Sequence, residues 1–308
     1  MLRAFFVHLS ENRSLRRFAE NSSIGRRVSG RFVAGTEIAD AVRITQAVNR
    51  LGMSVSIDNL GENVTNPDEA RHSAQLYHQI LDAIITNQLN ANISLKLTHM
   101  GLDVDEAMAR DLVSGLVAKA ASMNPPGFVR VDMEGSPYTQ RTLDFVHELH
   151  RRPGHGNKVG TVIQSYLKRS EKDVEDLLAE KIRIRLCKGA YKEPPTIAYE
   201  SKTDVDGNYI KLMKMLLKSH VYHGLATHDE NIIRQTQSFA TREKIARESF
   251  EFQMLYGIRR DLQQQLVKEG WRMRVYVPFG TEWYPYFMRR LGERPANVFF
   301  VARNLLRS

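Results

Sequence analysis

Eight short β-branched or aromatic runs, each followed by a stretch with helical periodicity, constrain this chain more than any other feature. They are MSVSID (53–58), NISLKL (92–97), FVRVDM (128–133) and KVGTVIQ (158–164), then IRIRLCK (182–188), HGLATH (223–228), FEFQML (250–255) and RMRVYVP (272–278). Helical patterns lie between them, as in DEARHSAQLYHQILDAIITN (68–87), EAMARDLVSGLVAKAASM (106–123) and YIKLMKMLLKSH (209–220). Strands that alternate with helices build parallel βαβ units. Eight such units fit a closed (βα)8 TIM-type barrel better than an open doubly wound sheet. The helix TEIADAVRITQAVNRLG (36–52) precedes the first strand, with Gly52 as its stop. No Pro-, Gly- or Ser-rich linker divides the chain, so residues 1–308 read as one domain, a helical arm over 1–50 and the barrel over 53–308.

Composition narrows the functional classes. Hydrophobic residues make up 42% and charged residues 26%, the balance of a soluble globular chain. No apolar stretch approaches the ~20 residues of a membrane-spanning helix. The single cysteine, Cys187, excludes an internal disulfide framework, and its place in a strand reads as a small core residue. The first 32 residues carry seven arginines against two acids and read as a basic helical arm of the mature protein, with a mitochondrial-type presequence as the alternative. A net charge of +9 permits contact with an anionic surface, but no zinc finger, RNA-binding signature or basic-aromatic repeat accompanies it. Nucleic acid is therefore not an expected partner. GHGNKVG (154–160) precedes its strand, whereas a dinucleotide fingerprint follows one. HELH (147–150) lacks zinc-site spacing and reads as a surface helix; no metal is expected.

Barrel active sites form at the carboxyl ends of the strands. The polar residues there are Asp58, Glu62, Lys96, Asp132, Glu134, Gln164, Arg185, Lys188, Tyr191, Thr227, His228, Asp229, Gln253 and Tyr276. A barrel mouth without a ligand would have to satisfy all of these groups, so their density argues for function. After the last strand, Pro278 and Gly280 make a turn, and Thr281 can cap a helix starting at Glu282. On that helix Tyr284, Phe287, Met288 and Leu291 form an apolar stripe, and Tyr286, Arg289 and Arg290 share the opposite face. From the residues alone, a Schiff-base aldolase using Lys96 or Lys188 and a basic polyanion-binding protein stand as rivals to a cofactor enzyme.

The segments SLKL (94–97), VRVDME (129–134), VIQSYL (162–167), RLCKGAY (185–191), ATHD (226–229), FEFQMLYG (250–257) and VYVPFGTEWYPYFMRRL (275–291) decide between them. In this order they closely resemble the monofunctional bacterial form of proline dehydrogenase, from about residue 31 to the C-terminus. The resemblance implies a (βα)8 barrel whose final helix lies over the mouth. It implies FAD as cofactor and oxidation of L-proline to Δ1-pyrroline-5-carboxylate, with hydride passing from proline C5 to flavin N5. It places Arg289, Arg290 and Lys96 around the substrate carboxylate, Tyr276 against the substrate ring, and Glu62 as the acidic gate partner of the first arginine. Asp132 and Arg185 match catalytic positions, with Arg185 near the flavin N5 edge and Asp132 in the polar network that holds Lys96 or the flavin. Met133, Gln164, Lys188, Gly189, Ala190, Thr227 and His228 match cofactor contacts. Small residues such as Gly189 and Ala190 also let a backbone approach a cofactor closely. The one departure within these motifs is Cys187, where relatives carry valine. The family further implies electron transfer to a membrane quinone and a separate pyrroline-5-carboxylate dehydrogenase downstream. It implies a cytoplasmic protein, peripheral at the inner face of the cell membrane. Hydroxyproline is the alternative substrate, to be decided by pocket shape near Tyr276.

Overall fold

The computed structural model describes residues 29–293, and side chains up to Met288 within the last helix. Eight parallel strands close into a barrel in sequence order. They are β1 (Ser54–Asn59), β2 (Ala91–Leu95), β3 (Val129–Val131), β4 (Val159–Gln164), β5 (Arg183–Cys187), β6 (His223–Ala226), β7 (Phe250–Leu255) and β8 (Met273–Phe279). Pairing of β8 with β1, from Ser54 opposite Arg274 to Asn59 opposite Phe279, completes the ring. The helices are α1 (Ile38–Arg50), α2 (Pro67–Thr86), α3 (Glu106–Ser122), α4 (Ser136–Arg151) and α5 (Ser170–Ala179), then α6 (Lys202–Lys218), α7 (Glu230–Arg242), α8 (Arg260–Lys268) and α9 (Trp283–Glu293).

Local chemistry sets where these elements begin. Asn66 accepts a hydrogen bond from the Glu69 amide, and Pro67 follows at the first helical position. Asp105, Ser201 and Asp229 cap α3, α6 and α7 in the same way. Helix α6 therefore starts seven residues before the apolar pattern at 209–220, because Ser201 opens a first turn whose polar residues carry no periodic signal. The run 223–228 ends as a strand at Ala226, and 92–97 ends at Leu95, where the chain turns into the 3-10 segment Thr98–Met100. GHGNKVG forms the 3-10 turn Gly156–Lys158 that leads into β4. HELH lies on α4, with His147 Nδ1 2.8 Å from Glu180 Oε1.

The apolar core lies between the barrel and its helices. Val55, Ile57, Ile93, Leu95, Val129, Val131, Ile184, Leu186 and Val275 point outward into it and are essentially fully buried. The barrel interior is instead polar, unlike the branched aliphatic layers usual in this architecture. Arg274 donates to Glu251 Oε1 at 2.6 Å and to the Val55 carbonyl at 2.7 Å. Arg130 donates to the carbonyls of Thr161 and Arg183 at 2.7 and 2.6 Å. Burial holds the Arg130 guanidinium well below its ordinary pKa, with Arg185 and Arg183 adding to the shift.

Two strand glycines make room for these long side chains. A Cβ on Gly160 would lie 2.2 Å from the Arg183 carbonyl oxygen and 3.0 Å from Arg130 Nη1. One on Gly224 would lie 2.2 Å from Gln253 Nε2.

A second apolar cluster covers the carboxyl end of the barrel. Trp283, Tyr284, Tyr286 and Phe287 of α9 pack with Phe32, Val33, Leu60 and Ile258. Phe32 and Phe287 have ring centroids 6.0 Å apart. Leu60 and Ile258 belong to the loops after β1 and β7, so the final helix rests over the mouth rather than beside the barrel. Tyr286 was expected on the arginine face of α9, yet it is buried, because the helix is packed from more than one side. The helix begins at Trp283, one residue later than the cap at Thr281 implied.

Replacing Gly160 by Ala should destabilise the fold by about 1–3 kcal/mol, the usual cost of overpacking a tight interior. Urea unfolding measures this, and a loss below the error of the fit would show that Arg130 and β5 yield freely.

Candidate active site

The barrel mouth is organised around the Arg185 guanidinium, which leaves β5 and crosses the interior. Its Nε donates to Gln253 Oε1 at 2.6 Å and its Nη1 to Asp132 Oδ1 at 2.7 Å. Nη1 also reaches Ser94 Oγ at 3.1 Å, and Nη2 reaches Ser56 Oγ at 3.2 Å. The guanidinium carbon stands 5.2 Å from the centre of the Tyr276 ring, within cation–π range.

Asp132 collects the other half of this network. Ser94 Oγ donates to its Oδ1 at 2.7 Å and the Tyr276 hydroxyl to its Oδ2 at 3.0 Å. Burial, with Asp132 and Asp58 nearby, raises the Tyr276 phenol well above its ordinary pKa, so it stays a neutral donor. Asp132, Arg185 and Tyr276, assigned separately from sequence, thus form one contiguous knot.

Lys96, at the end of β2, stands beside that knot. Its Nζ lies 3.8 Å from Glu62 Oε2. Burial alone would lower its pKa, but Asp58, Glu62, Asp132 and Glu134 outweigh it and raise the pKa above the ordinary lysine value. The ammonium therefore stays charged at neutral pH. Such a lysine is a poor amine nucleophile, which counts against the aldolase reading. Glu62 meets Lys96 across the β1 and β2 loops; the Arg289 and Arg290 backbone lies in α9, while their side chains fall outside the described residues.

Glu134 fixes the turn that follows Lys96. Its Oε2 accepts from Thr98 Oγ1 at 2.7 Å and its Oε1 from the Thr98 amide at 3.2 Å. His99, next in the chain, packs its ring against Gly61 and edge-on to Tyr77 at 6.4 Å. Burial, then Lys96, lowers its pKa to about 4.

The residues expected to hold a cofactor line the strand ends from β3 to β6. Met133 and Gln164 are buried, and Gln164 Nε2 donates to the Glu134 carbonyl at 3.0 Å. Gly189 has φ +107°, and a Cβ there would strike the Tyr166 ring at 2.2 Å, so this position requires glycine. Ala190 and Tyr191 are exposed. His228 Nε2 accepts from the Leu255 amide at 3.0 Å, which leaves its proton on Nδ1. Thr227 Oγ1 accepts from the Asp229 amide at 3.1 Å. Lys188 Nζ sits between Asp206 Oδ1 at 2.5 Å and Asp229 Oδ2 at 2.9 Å. Burial would raise the Asp229 carboxyl, but Lys188 draws it down to about 2. Cys187 ends β5 inside this frame, and burial pushes its thiol up to about 12, as befits a packing residue.

Sequence reasoning kept Gln253, Asp58 and Glu134 only as strand-end candidates and missed Ser56, Ser94 and Tyr77. Tyr77 on α2 donates to Asp58 Oδ1 at 3.2 Å and to the Ser94 carbonyl at 2.9 Å. The inward alternation of Ser56 and Ser94 along apolar strands was the available signal.

A closed parallel barrel with a charged, hydrogen-bonded mouth defines an enzyme of the (βα)8 class. The proline dehydrogenase family profile matches residues 41–303. Proline dehydrogenase 1 of Bacillus subtilis is 41% identical over 308 residues, which is 100% of both chains. Proline dehydrogenase of Deinococcus radiodurans is 41% identical over 90% of this chain and 89% of its own. Among solved structures, proline utilization A from Bdellovibrio bacteriovorus, inactivated by N-propargylglycine, superposes with a TM-score of 0.80 at 25% identity. The match covers 87% of this chain and 32% of that longer protein. The chain belongs to the proline dehydrogenase family.

The two most strongly lowered imidazoles set a pH dependence. His99 falls to about 4 and His223, buried and facing Arg130 and Arg183, to about 3. The unfolded chain protonates first, so their contribution is complete above about pH 6.5 and is lost as the pH falls toward 4. Urea unfolding between pH 7 and 4 should show this slope, and His99→Leu should flatten part of it.

Proposed function

We propose that this protein oxidises L-proline to Δ1-pyrroline-5-carboxylate with FAD as cofactor. The observation that carries the reading is the fixed knot of Asp132, Arg185 and Tyr276 beside a charged, half-enclosed Lys96. It provides a cation for a small carboxylate and an immobile polar floor, in a chain of this family.

The residues present fit a flavin dinucleotide. Gly189 at φ +107° brings backbone close to the mouth, Tyr191 offers an exposed ring, and His228 carries a donor at Nδ1. Met133, Gln164, Gly189, Ala190, Thr227 and His228 would hold it, and Lys188 would face its phosphates. When bound, the flavin accepts hydride from the substrate carbon next to nitrogen.

The chain's own residues supply orientation and charge. Lys96, with Arg289 and Arg290, binds the proline carboxylate through charge-assisted hydrogen bonds. Tyr276 packs on the pyrrolidine ring while its hydroxyl stays tied to Asp132. Arg185 would hold a fixed positive charge beside the cofactor. Glu62, beside Lys96, would pair with Arg289, the first arginine of α9. Electrons then pass to a membrane quinone, and the product goes to a separate dehydrogenase. No helix among the described residues is long and apolar enough to cross a membrane. A cytoplasmic protein peripheral to the cell membrane fits this route.

The first test is the visible spectrum of the purified protein under anaerobic titration. Flavin bands should bleach with L-proline and persist with D-proline. A protein that takes up no FAD, or whose flavin ignores proline, would overturn the proposal. Lys96→Met, Arg289→Met and Arg290→Met should each raise the apparent Kd for proline by about tenfold or more, the cost of removing one charged partner, with the flavin bands retained.

A further inference from the structure

The segment between β5 and α6 runs as a strap across neighbouring loops, and its two ends are sewn down. At one end Lys188 is paired with Asp206 and Asp229. At the other, residues 195–199 lie along the loop after β4. The Lys168 amide donates to the Ile197 carbonyl at 3.0 Å, the Tyr199 amide to Tyr166 at 2.8 Å, and Lys168 Nζ to the Pro195 carbonyl at 2.6 Å. Leu167 and Ala198 form an antiparallel bridge.

Between these anchors the strap also makes a polar contact in the opposite direction. Glu193 Oε1 accepts from the Ser136 amide at 2.7 Å, and its Oε2 accepts from Ser136 Oγ at 2.6 Å. Ser136 is the first residue of α4, and the N-cap Gly135 has no side chain with which to cap it. A carboxylate from a distant loop thus does the work of the missing cap, where exposed amides and the helix dipole favour negative charge. Both oxygens are used on one residue, so the contact fixes orientation as well as distance.

We propose that Glu193 is a positioning residue that couples the β5–α6 strap to the β3–α4 loop and holds both for the cofactor. The inference rests on the function proposed above. Met133 lies three residues before Ser136, and Gly189 and Ala190 lie three or four before Glu193. Residues assigned to the cofactor therefore stand on both sides of one latch. The carboxylate would act through the two loops it joins and not on the reacting atoms. It sets the spacing between the two loops.

The test compares Glu193→Ala, Glu193→Gln and Ser136→Ala in the full chain. Glu193→Ala should release FAD about tenfold faster, the effect of losing a charged, bidentate cap, with KM for proline changed less than about twofold. Glu193→Gln, which can still accept from the amide and donate to the hydroxyl, should stay within about threefold of the parent. Ser136→Ala, which keeps the amide bond, should fall between them. Hydrogen exchange over 189–193 should rise in Glu193→Ala. Flavin release and strap exchange at parental rates in Glu193→Ala would overturn the latch. So would a Gln variant as impaired as Ala together with an equal loss of Tm, because that would mark a cap serving the fold alone. If the protein took up no flavin, the function proposed above would fail, while strap exchange would still decide whether the latch exists.

Discussion

The rest of the mouth depends on one buried guanidinium. Arg185 reaches from β5 to side chains on β1, β2 and β7 and to Asp132 just after β3, and it stacks on Tyr276 of β8. Burying such a charge costs several kcal/mol unless its donors are satisfied, so it tolerates few alternative arrangements. Gln253 is itself anchored through Nε2 to Glu251, and Glu251 to Arg274, which extends the constraint down the barrel. A polar interior is an expensive way to fill a barrel. In exchange, the position of each strand end is set by directional bonds rather than by the looser fit of branched aliphatic side chains.

The charges at the mouth follow from that frame. Lys96 keeps its proton because four carboxylates face it, and the nearest of these, Glu62, comes from the loop after β1. Glu134 draws the end of β2 into the Thr98–Met100 turn, which stops the strand at Leu95 and aims Lys96 inward. Lys188 is held by aspartates on α6 and at the start of α7, so the cation next to Gly189 is fixed in one orientation. Strap, caps and interior network thus meet at the same few loops. Rigid strands fix the polar floor, and loop contacts fix what stands around it.

Much of this was legible in the chain. Eight runs of β-branched and aromatic residues announced eight strands, and their ends named Asp132, Arg185, Lys96, Tyr276, Gln164, Lys188, Thr227 and His228, while Met133, Gly189 and Ala190 came only from the family resemblance. Outward-facing valines and isoleucines produce that pattern whatever the interior contains. The interior was harder to foresee. Ser56, Ser94 and Asn92 are small polar residues in apolar strands, and nothing local says that Ser56 and Ser94 meet at Arg185 or that Ser56 donates to Asn92. Glu193 likewise carries no local signal, since its partner Ser136 is 57 residues away.

The sequence by itself determined the order of elements, the closure into a barrel and the residue types at its mouth, because hydrophobic periodicity and turn chemistry act over a few neighbouring residues. It also determined that α9 would carry an apolar stripe. Only the tertiary structure decided which groups pair. It joined Asp132 to Arg185 and Tyr276, set Glu62 against Lys96, buried Tyr286 in the cap over the barrel and clasped Glu193 to α4. The reason is range. A hydrogen bond or ion pair forms between atoms about 3 Å apart, and only closure of the barrel brings residues so distant in the chain to that separation.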